Sequence, residues 1–322
     1  MTTLRLGTRG SALALFQART VAALIAERAG VPCDITIIRI SGDQLADRPL
    51  AEVGGKRLFV KEIEDALLDG GVDLAVHSSK DLPAELPEGL LIGAVLPRED
   101  PTDALVRRGG GAVEFEAFMR GMVAGARIGT GSVRRIAQLR PVLPQALFEP
   151  IRGNIDTRLR KLDGGDYDVI VLASAGLRRL GLADRVSAAI PSEICVPAPG
   201  QGIIAVEIRA DDARTRAAVI PVDDAHAAAA LSAERALVEA LGGGCQMPIG
   251  ALCRLSDGTL DLLAVVASLD GTRVVRHRRR SLRQAPVELG RQVADDLLRQ
   301  GAAEILAEAR ADGMSIADPH GP

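Results

Sequence analysis

The chain has 322 residues, 47% of them hydrophobic, and a formal net charge of −3. This length supports two or three ordinary domains with real cores, while the slight acidity excludes the broad basic excess of a general nucleic-acid binder and confines any anion site to a local cluster. No apolar run is long enough to span a membrane, and residues 1–7 lack a basic segment leading into an apolar stretch, so a cytoplasmic protein with no membrane or nucleic-acid partner is expected.

Residues 4–7 predict a first strand, 11–28 an amphipathic helix, 35–40 a strand, 59–68 a helix and 74–77 another strand. Strands follow at 91–95, 104–106 and 127–129, helices at 132–140 and 154–162, then strands at 169–172 and 203–208. The alternation is that of an α/β fold with helices covering a mostly parallel sheet. Two proline-marked junctions interrupt it, Leu-Pro-Arg-Glu-Asp-Pro at 96–101 and Val-Pro-Ala-Pro-Gly-Gln-Gly at 196–202, and both read as hinges or crossovers. A strand after the second junction could return to the first sheet. Beyond about residue 217, an alanine-rich helix at 225–241, a glycine-rich loop, a β-like run at 260–269 and a helix at 287–310 predict a smaller α+β domain.

Three glycines strip the side chains from the approach to Cys245, in Leu-Gly-Gly-Gly-Cys-Gln-Met-Pro-Ile-Gly at 241–250. A thiol so presented can be built upon, although a helix stop holding a buried cysteine has the same appearance. The cysteines at 33, 195, 245 and 253 make no C-x-x-C pair and no zinc-like spacing, so neither a disulfide framework nor a metal site is indicated.

Small polar residues and arginines meet where a strand gives way to a helix at three places. These are Thr-Arg-Gly-Ser at 8–11, Gly-Thr-Gly-Ser-Val-Arg-Arg at 129–135 and Arg-Gly-Asn-Ile-Asp-Thr-Arg at 152–158. Each offers free N–H groups, a partial positive charge and bidentate guanidinium partners to an anion. Ser11 and Ser132 also suit simple N-caps. Three such places together imply a ligand with many negative charges. Arg178 and Arg179 follow the strand at 169–172 and a turn-like Ala-Ser-Ala-Gly, near the sheet edge where open α/β folds bind ligands. His-Ser-Ser-Lys-Asp-Leu-Pro at 77–83 closes another strand and sets Lys80 beside Asp81, either as a proton-handling pair or as a turn with a local ion pair. Only four of the 39 basic residues are lysines, at 56, 61, 80 and 161, which singles out Lys56 and Lys80 as positions needing a compact ammonium.

With these blocks in order, joined by Gly-Gly-Lys-Arg-Leu-Phe-Val-Lys-Glu at 54–62, Ala-Gly-Leu-Arg-Arg-Leu-Gly at 175–181 and Pro-Gly-Gln-Gly at 199–202, the chain closely resembles the porphobilinogen deaminase (hydroxymethylbilane synthase) family over nearly its whole length. The resemblance implies a transferase of tetrapyrrole biosynthesis that joins four porphobilinogens head to tail. Its dipyrromethane cofactor, made from two substrate units, is bonded through the sulfur of Cys245. Loss of ammonia from each substrate leaves a cationic azafulvene that the terminal pyrrole attacks, and water releases the linear product. Asp81 is then the stabiliser of that cation and, with Lys80, the catalytic centre. Arg9, Ser11, Thr130, Ser132, Arg134, Arg135, Arg152, Arg158 and Arg179 hold carboxylates or cofactor rings; Ser78, Gln201 and Gly202 line the same cleft; Lys56 and Phe59 belong to a loop over the substrate.

The family also implies two periplasmic-binding-protein-like α/β domains with a central active-site cleft plus a smaller C-terminal α+β domain. Their bounds here are 1–97 with 198–216, 98–197, and 217–322. It implies a cytoplasmic monomer without metal, handing its product to uroporphyrinogen-III synthase. Glu52, Arg57, Gly131 and Gly242 depart from the family pattern. Two other readings use the same residues: a polyanion-binding module without turnover, and an acyl-transferring cysteine enzyme, for which His77 is the available base.

Overall fold

The computed structural model describes residues 3–40, 60–244 and 247–317. Lys56, Phe59 and Cys245, with Glu52 and Arg57, lie outside the described residues.

Two five-stranded sheets share one plan. The first has the order β2-β1-β3-β10-β4, built from Leu4–Thr8 (β1), Cys33–Ile37 (β2), Leu74–Ser78 (β3), Leu90–Val95 (β4) and Ile204–Arg209 (β10). The second has the order β7-β6-β8-β5-β9, built from Asp103–Arg107 (β5), Arg127–Gly129 (β6), Leu147–Glu149 (β7), Val169–Ala173 (β8) and Ala188–Ile190 (β9). In each, three parallel strands are followed by an antiparallel one: β10 runs against β3 and β4, and β5 runs against β8 and β9. The chain crosses to the second sheet after β4 and returns with β10, through the two proline-marked junctions. The expected return strand thus lies inside the first sheet.

Apolar alternation explains the packing. Leu4 and Leu6 of β1 and Val206 and Ile208 of β10 meet Ala18, Val21 and Ile25 of the helix Ala12–Ala29 in one fully buried core. That helix starts because the Ser11 hydroxyl accepts the Ala14 N–H at 3.3 Å, and it stops at Gly30. The second sheet carries a core on each face, around Leu105, Ile128 and Val171 on one and Val106, Ile170 and Leu172 on the other.

The third unit is an antiparallel sheet of Ile249–Ser256 (β11), Thr259–Ala267 (β12) and Val274–Leu282 (β13). Its inner face, with Leu260, Leu262, Ala264 and Val266, packs on the helices Ala225–Ala240 and Pro286–Leu297. The expected helix at 287–310 is broken: Gly301 takes φ 97°, and a new helix, Ala303–Ala317, begins beyond it. The turn-like Ala-Ser-Ala-Gly is instead the last residue of β8 and the start of the helix Ser174–Arg179.

Candidate active site

The functional side chains stand at the C-terminal ends of parallel strands, because each strand end there opens a helix or a tight turn. β1 delivers Arg9 and Ser11, β3 delivers Ser78 and the short 3-10 turn Ser79–Asp81, and β8 delivers the helix carrying Arg179. From β6 the chain passes through Thr130 and Ser132 into the helix Val133–Leu139, whose first turn the Ser132 hydroxyl caps by accepting the Arg135 N–H at 3.4 Å. β7 leads to Arg152 and, past Gly153, to the helix Ile155–Gly164 carrying Arg158.

These ends face one another across a cleft of about 380 Å³ between the two sheets. Among the described residues, its lining holds six lysine or arginine side chains, Arg9, Lys80, Arg135, Arg152, Arg158 and Arg179, against two acids, Asp81 and Asp156. Burial, then the neighbouring Arg135 and Arg152, lower the Arg158 guanidinium to about 10, with Asp81 pulling the other way. Burial first and Arg135 next lower the Lys80 ammonium to about 8, opposed by Asp81 and Asp103. Asp81 therefore stands within electrostatic reach of both Lys80 and Arg158. Arg152 is lowered by burial, and its Nη2 is buried without a hydrogen-bond partner. Such an orphan donor is costly unless an anion meets it.

Protein contacts aim the other cations. Arg158 Nε donates to the Gly153 carbonyl at 2.8 Å, and Arg179 Nη2 to the Gly202 carbonyl at 2.6 Å. Gly200 and Gly202 have φ of 75° and 87°, and a Cβ on Gly202 would lie 2.4 Å from the Glu99 carbonyl oxygen. The Pro-Gly-Gln-Gly run is thus required by the close passage of the two junctions.

A smaller cavity opens on the other side of Lys80, lined by Ser132, Arg134, Arg235, Met247 and Gly244, the residue before Cys245. Behind both cavities lies Asp103, fully buried, with Arg134 at 2.8 Å and Arg135 at 2.7 Å. Burial alone would raise its carboxyl, but Arg134 and Arg135 hold it well below the usual carboxylate range.

A cation-rich cleft, with a small cavity next to it that Gly244 lines, narrows the chemistry, and sequence comparison decides it. Residues 4–217 match the family model described as porphobilinogen deaminase, dipyromethane cofactor binding domain, and residues 228–299 match the porphobilinogen deaminase C-terminal domain. The chain belongs to the porphobilinogen deaminase family. Curated porphobilinogen deaminases from Syntrophobacter fumaroxidans and Desulforudis audaxviator are 47% and 50% identical to it, each over 95% of this chain and 97% of the relative. Distant likenesses among solved structures include the periplasmic VFT2 domain of Bordetella pertussis BvgS (TM-score 0.40, 14% identity, 68% of this chain and 86% of that one) and a periplasmic substrate-binding protein of a Coxiella burnetii ABC transporter (TM-score 0.42, 14% identity, 68% and 91%).

Of the residues assigned by resemblance to porphobilinogen deaminases, Arg9, Ser11, Ser78, Lys80, Asp81, Arg135, Arg152, Arg158, Arg179 and Gly202 line the large cleft. Ser132 and Arg134 line the smaller cavity. Two expectations are corrected. Gln201 is not on the cleft wall: it is buried behind Lys80, whose Nζ donates to Gln201 Oε1 at 3.2 Å. Thr130 is fully buried and its hydroxyl accepts the Ser132 N–H at 3.3 Å, so it shapes the turn from within. His77 borders the cleft, but its imidazole is buried against Glu207 at 3.0 Å. At Gly131 a Cβ would come within 3.2 Å of the Ile151 carbonyl oxygen, so this turn is already tight without the hydroxyl that the family pattern led us to expect. Asp103 and Glu207 were missed by sequence reasoning; their only local signal is an acid just before one predicted strand and inside another. No group of three or more potential metal-binding side chains occurs among the described residues, and none of their helices is long and apolar enough to cross a membrane.

Proposed function

We propose that the cleft joins four porphobilinogens head to tail, with loss of ammonia at each step, into the linear tetrapyrrole hydroxymethylbilane, extending a dipyrromethane primer bonded to Cys245. The observation that carries this reading is the lining itself, six cations about two acids, with the orphaned Arg152 nitrogen among them. Each pyrrole brings an acetate and a propionate, which guanidinium groups and helix N-termini match in charge and geometry. The donor set fits the primer, and the small cavity ends at Gly244, directly before the thiol. The bound primer supplies a free pyrrole α-carbon for extension.

The residues of the chain divide the remaining work. Arg9, Ser11, Arg135, Arg152, Arg158 and Arg179 hold carboxylates in the large cleft; Ser132 and Arg134 do so in the small cavity that Gly244 lines. Asp81 steadies the positive charge left on the substrate when its carbon–nitrogen bond breaks and ammonia departs with the bonding pair. It then takes the proton displaced from the ring carbon as the new carbon–carbon bond forms. Lys80, held beside it, fixes a neighbouring carboxylate. The protein works as a cytoplasmic monomer of three domains, 1–97 with 198–216, 98–197 and 217–322, and passes its product to uroporphyrinogen-III synthase.

Intact mass tests this reading. Wild-type protein should carry an excess of two deaminated pyrrole units and gain one unit per porphobilinogen added, whereas Cys245→Ser should fold without the excess and show no turnover. An unmodified wild-type mass under every condition would favour a non-catalytic polyanion binder.

A further inference from the structure

We propose that Asp103 is a positioning residue that aims both ligand-facing arginines from behind and, through Gln201, ties the ammonium of Lys80 to the same point. Asp103 is the first residue of β5, set where the first junction enters the second sheet, and it is completely buried. Its Oδ1 accepts Arg135 Nε at 3.0 Å, Arg135 Nη2 at 2.7 Å and Gln201 Nε2 at 3.0 Å. Its Oδ2 meets Arg134 Nη2 at 2.8 Å and accepts the Cys195 thiol at 3.5 Å. Arg135 also donates through Nη1 to the Val171 carbonyl, and Arg134 through Nη1 to the Val196 carbonyl and the Cys195 sulfur.

A guanidinium has five N–H groups in a fixed plane. Three of Arg135's are bonded to Asp103 and Val171, so the direction of the remaining two is determined, and Arg135 borders the large cleft. Arg134, fixed by the other oxygen, borders the small cavity. One carboxylate thus serves two sites. It also serves a third group, since Gln201 accepts from Lys80 with one end of its amide and donates to Asp103 with the other. A single negative charge under three cations compensates their burial in part and leaves a surplus of positive charge for incoming carboxylates. A second acid at the same point would halve that surplus. Rotamer freedom of two arginines would otherwise have to be lost when the ligand binds, so fixing them beforehand favours binding.

The inference rests on the assignment of the two cavities to pyrrole carboxylates, and the test separates the two ideas. Apoprotein purified from cells that make no porphobilinogen is titrated with porphobilinogen, loading is followed by intact mass, and a urea midpoint is measured for each variant. Asp103→Asn should raise the porphobilinogen concentration for half-loading at least about tenfold, a loss expected when a buried charged partner of aligned donors is removed. Gln201→Met, which keeps both ion pairs and removes the Gln201 link between Lys80 and Asp103, should raise it to a smaller degree, and it decides alone if Asp103→Asn does not fold. Wild-type loading in both variants, whatever their urea midpoints, would overturn the role of Asp103 while leaving the cavities assigned. Wild-type loading in an Arg135→Leu control would overturn the assignment of the cavities itself.

Discussion

Lys80 shows how one residue can be unfavourable to the fold and useful to the site. Burial and the neighbouring Arg135 hold its ammonium at about 8 rather than 10.5. Below pH 8 both folded and unfolded chains carry the proton, and the cost of the buried charge is fully present. Between about 8 and 10.5 Lys80 holds its proton in the unfolded chain more than in the folded one, so its own destabilising contribution should fade with rising pH through that window. In the Cys245→Ser background, adding Lys80→Met should raise the urea midpoint at pH 7, and that gain should shrink across the window; the absolute midpoints should fall above about pH 9, because burial raises the Cys195 and Cys253 thiols. Asp81→Asn should fold and retain the primer yet lose at least about 100-fold in turnover, the range expected of an acid or base in direct contact with the reacting atoms; near-normal rates would remove Asp81 from its role. Most of these residues were legible in the sequence, because glycine, serine and arginine at strand ends carry a local signature. Asp103 and the inward turn of Gln201 were not. Their partners lie 32 and 98 residues apart along the chain, and nothing in the local pattern around an acid after Pro-Thr announces them.

At the level of elements, legibility followed length and periodicity. The strands of the first sheet and the helix Ala225–Ala240 were readable from alternation and helical spacing, whereas β7 and β9, of three residues each, are too short for either signal. β13 was missed for a different reason: its Val-Val-Arg-His-Arg-Arg-Arg run reads as a solvated charge cluster. It is in fact an edge strand, where such charges discourage pairing with another chain. Arg278 and Arg280 both reach across to Asp261 on β12, the one half-covered acid of that face. The break at Gly301 escaped because the apolar spacing continues through it. Packing of the two long helices of the third unit has a sharper dependence on one position. A Cβ on Gly290 would lie 2.3 Å from the Ala233 carbonyl oxygen and 2.9 Å from the Ala236 Cβ. Gly290→Ala should therefore destabilise the protein by about 1–3 kcal/mol as overpacking, more than offsetting the roughly 1 kcal/mol gain in helix propensity. A urea midpoint at or above wild type would show that the helices can separate freely.

Across the whole molecule, Glu234 joins what the sheets leave apart. Its fully buried carboxylate takes Arg98 of the first junction at 2.7 and 2.8 Å, the Gly200 N–H of the second at 2.6 Å, and the Cys253 N–H of β11 at 2.7 Å. Glu234→Gln would leave Arg98 without its charge partner in the interior, a loss of about 3–5 kcal/mol. The third unit should then unfold at lower urea than the two sheets, seen as a first transition by proteolysis or hydrogen exchange; a single transition shifted by less than about 1 kcal/mol would show that the interface does not depend on this carboxylate. The sequence suggested the returning strand, but not that one glutamate binds both junctions to the third unit.

The return of β10 to a central place in the first sheet also has a consequence for synthesis. A chain emerging from the ribosome makes β1 to β4 first, yet β3 and β4 have no strand to fill the gap between them until residues 204–209 appear. The second sheet, whose strands all lie between residues 103 and 190, can close earlier. Folding should thus run out of order, the middle of the chain before its beginning, with two unpaired strand edges exposed meanwhile. Nascent chains stalled before residue 204 should be protease-sensitive over their first hundred residues and prone to association, and those extended beyond 209 should not.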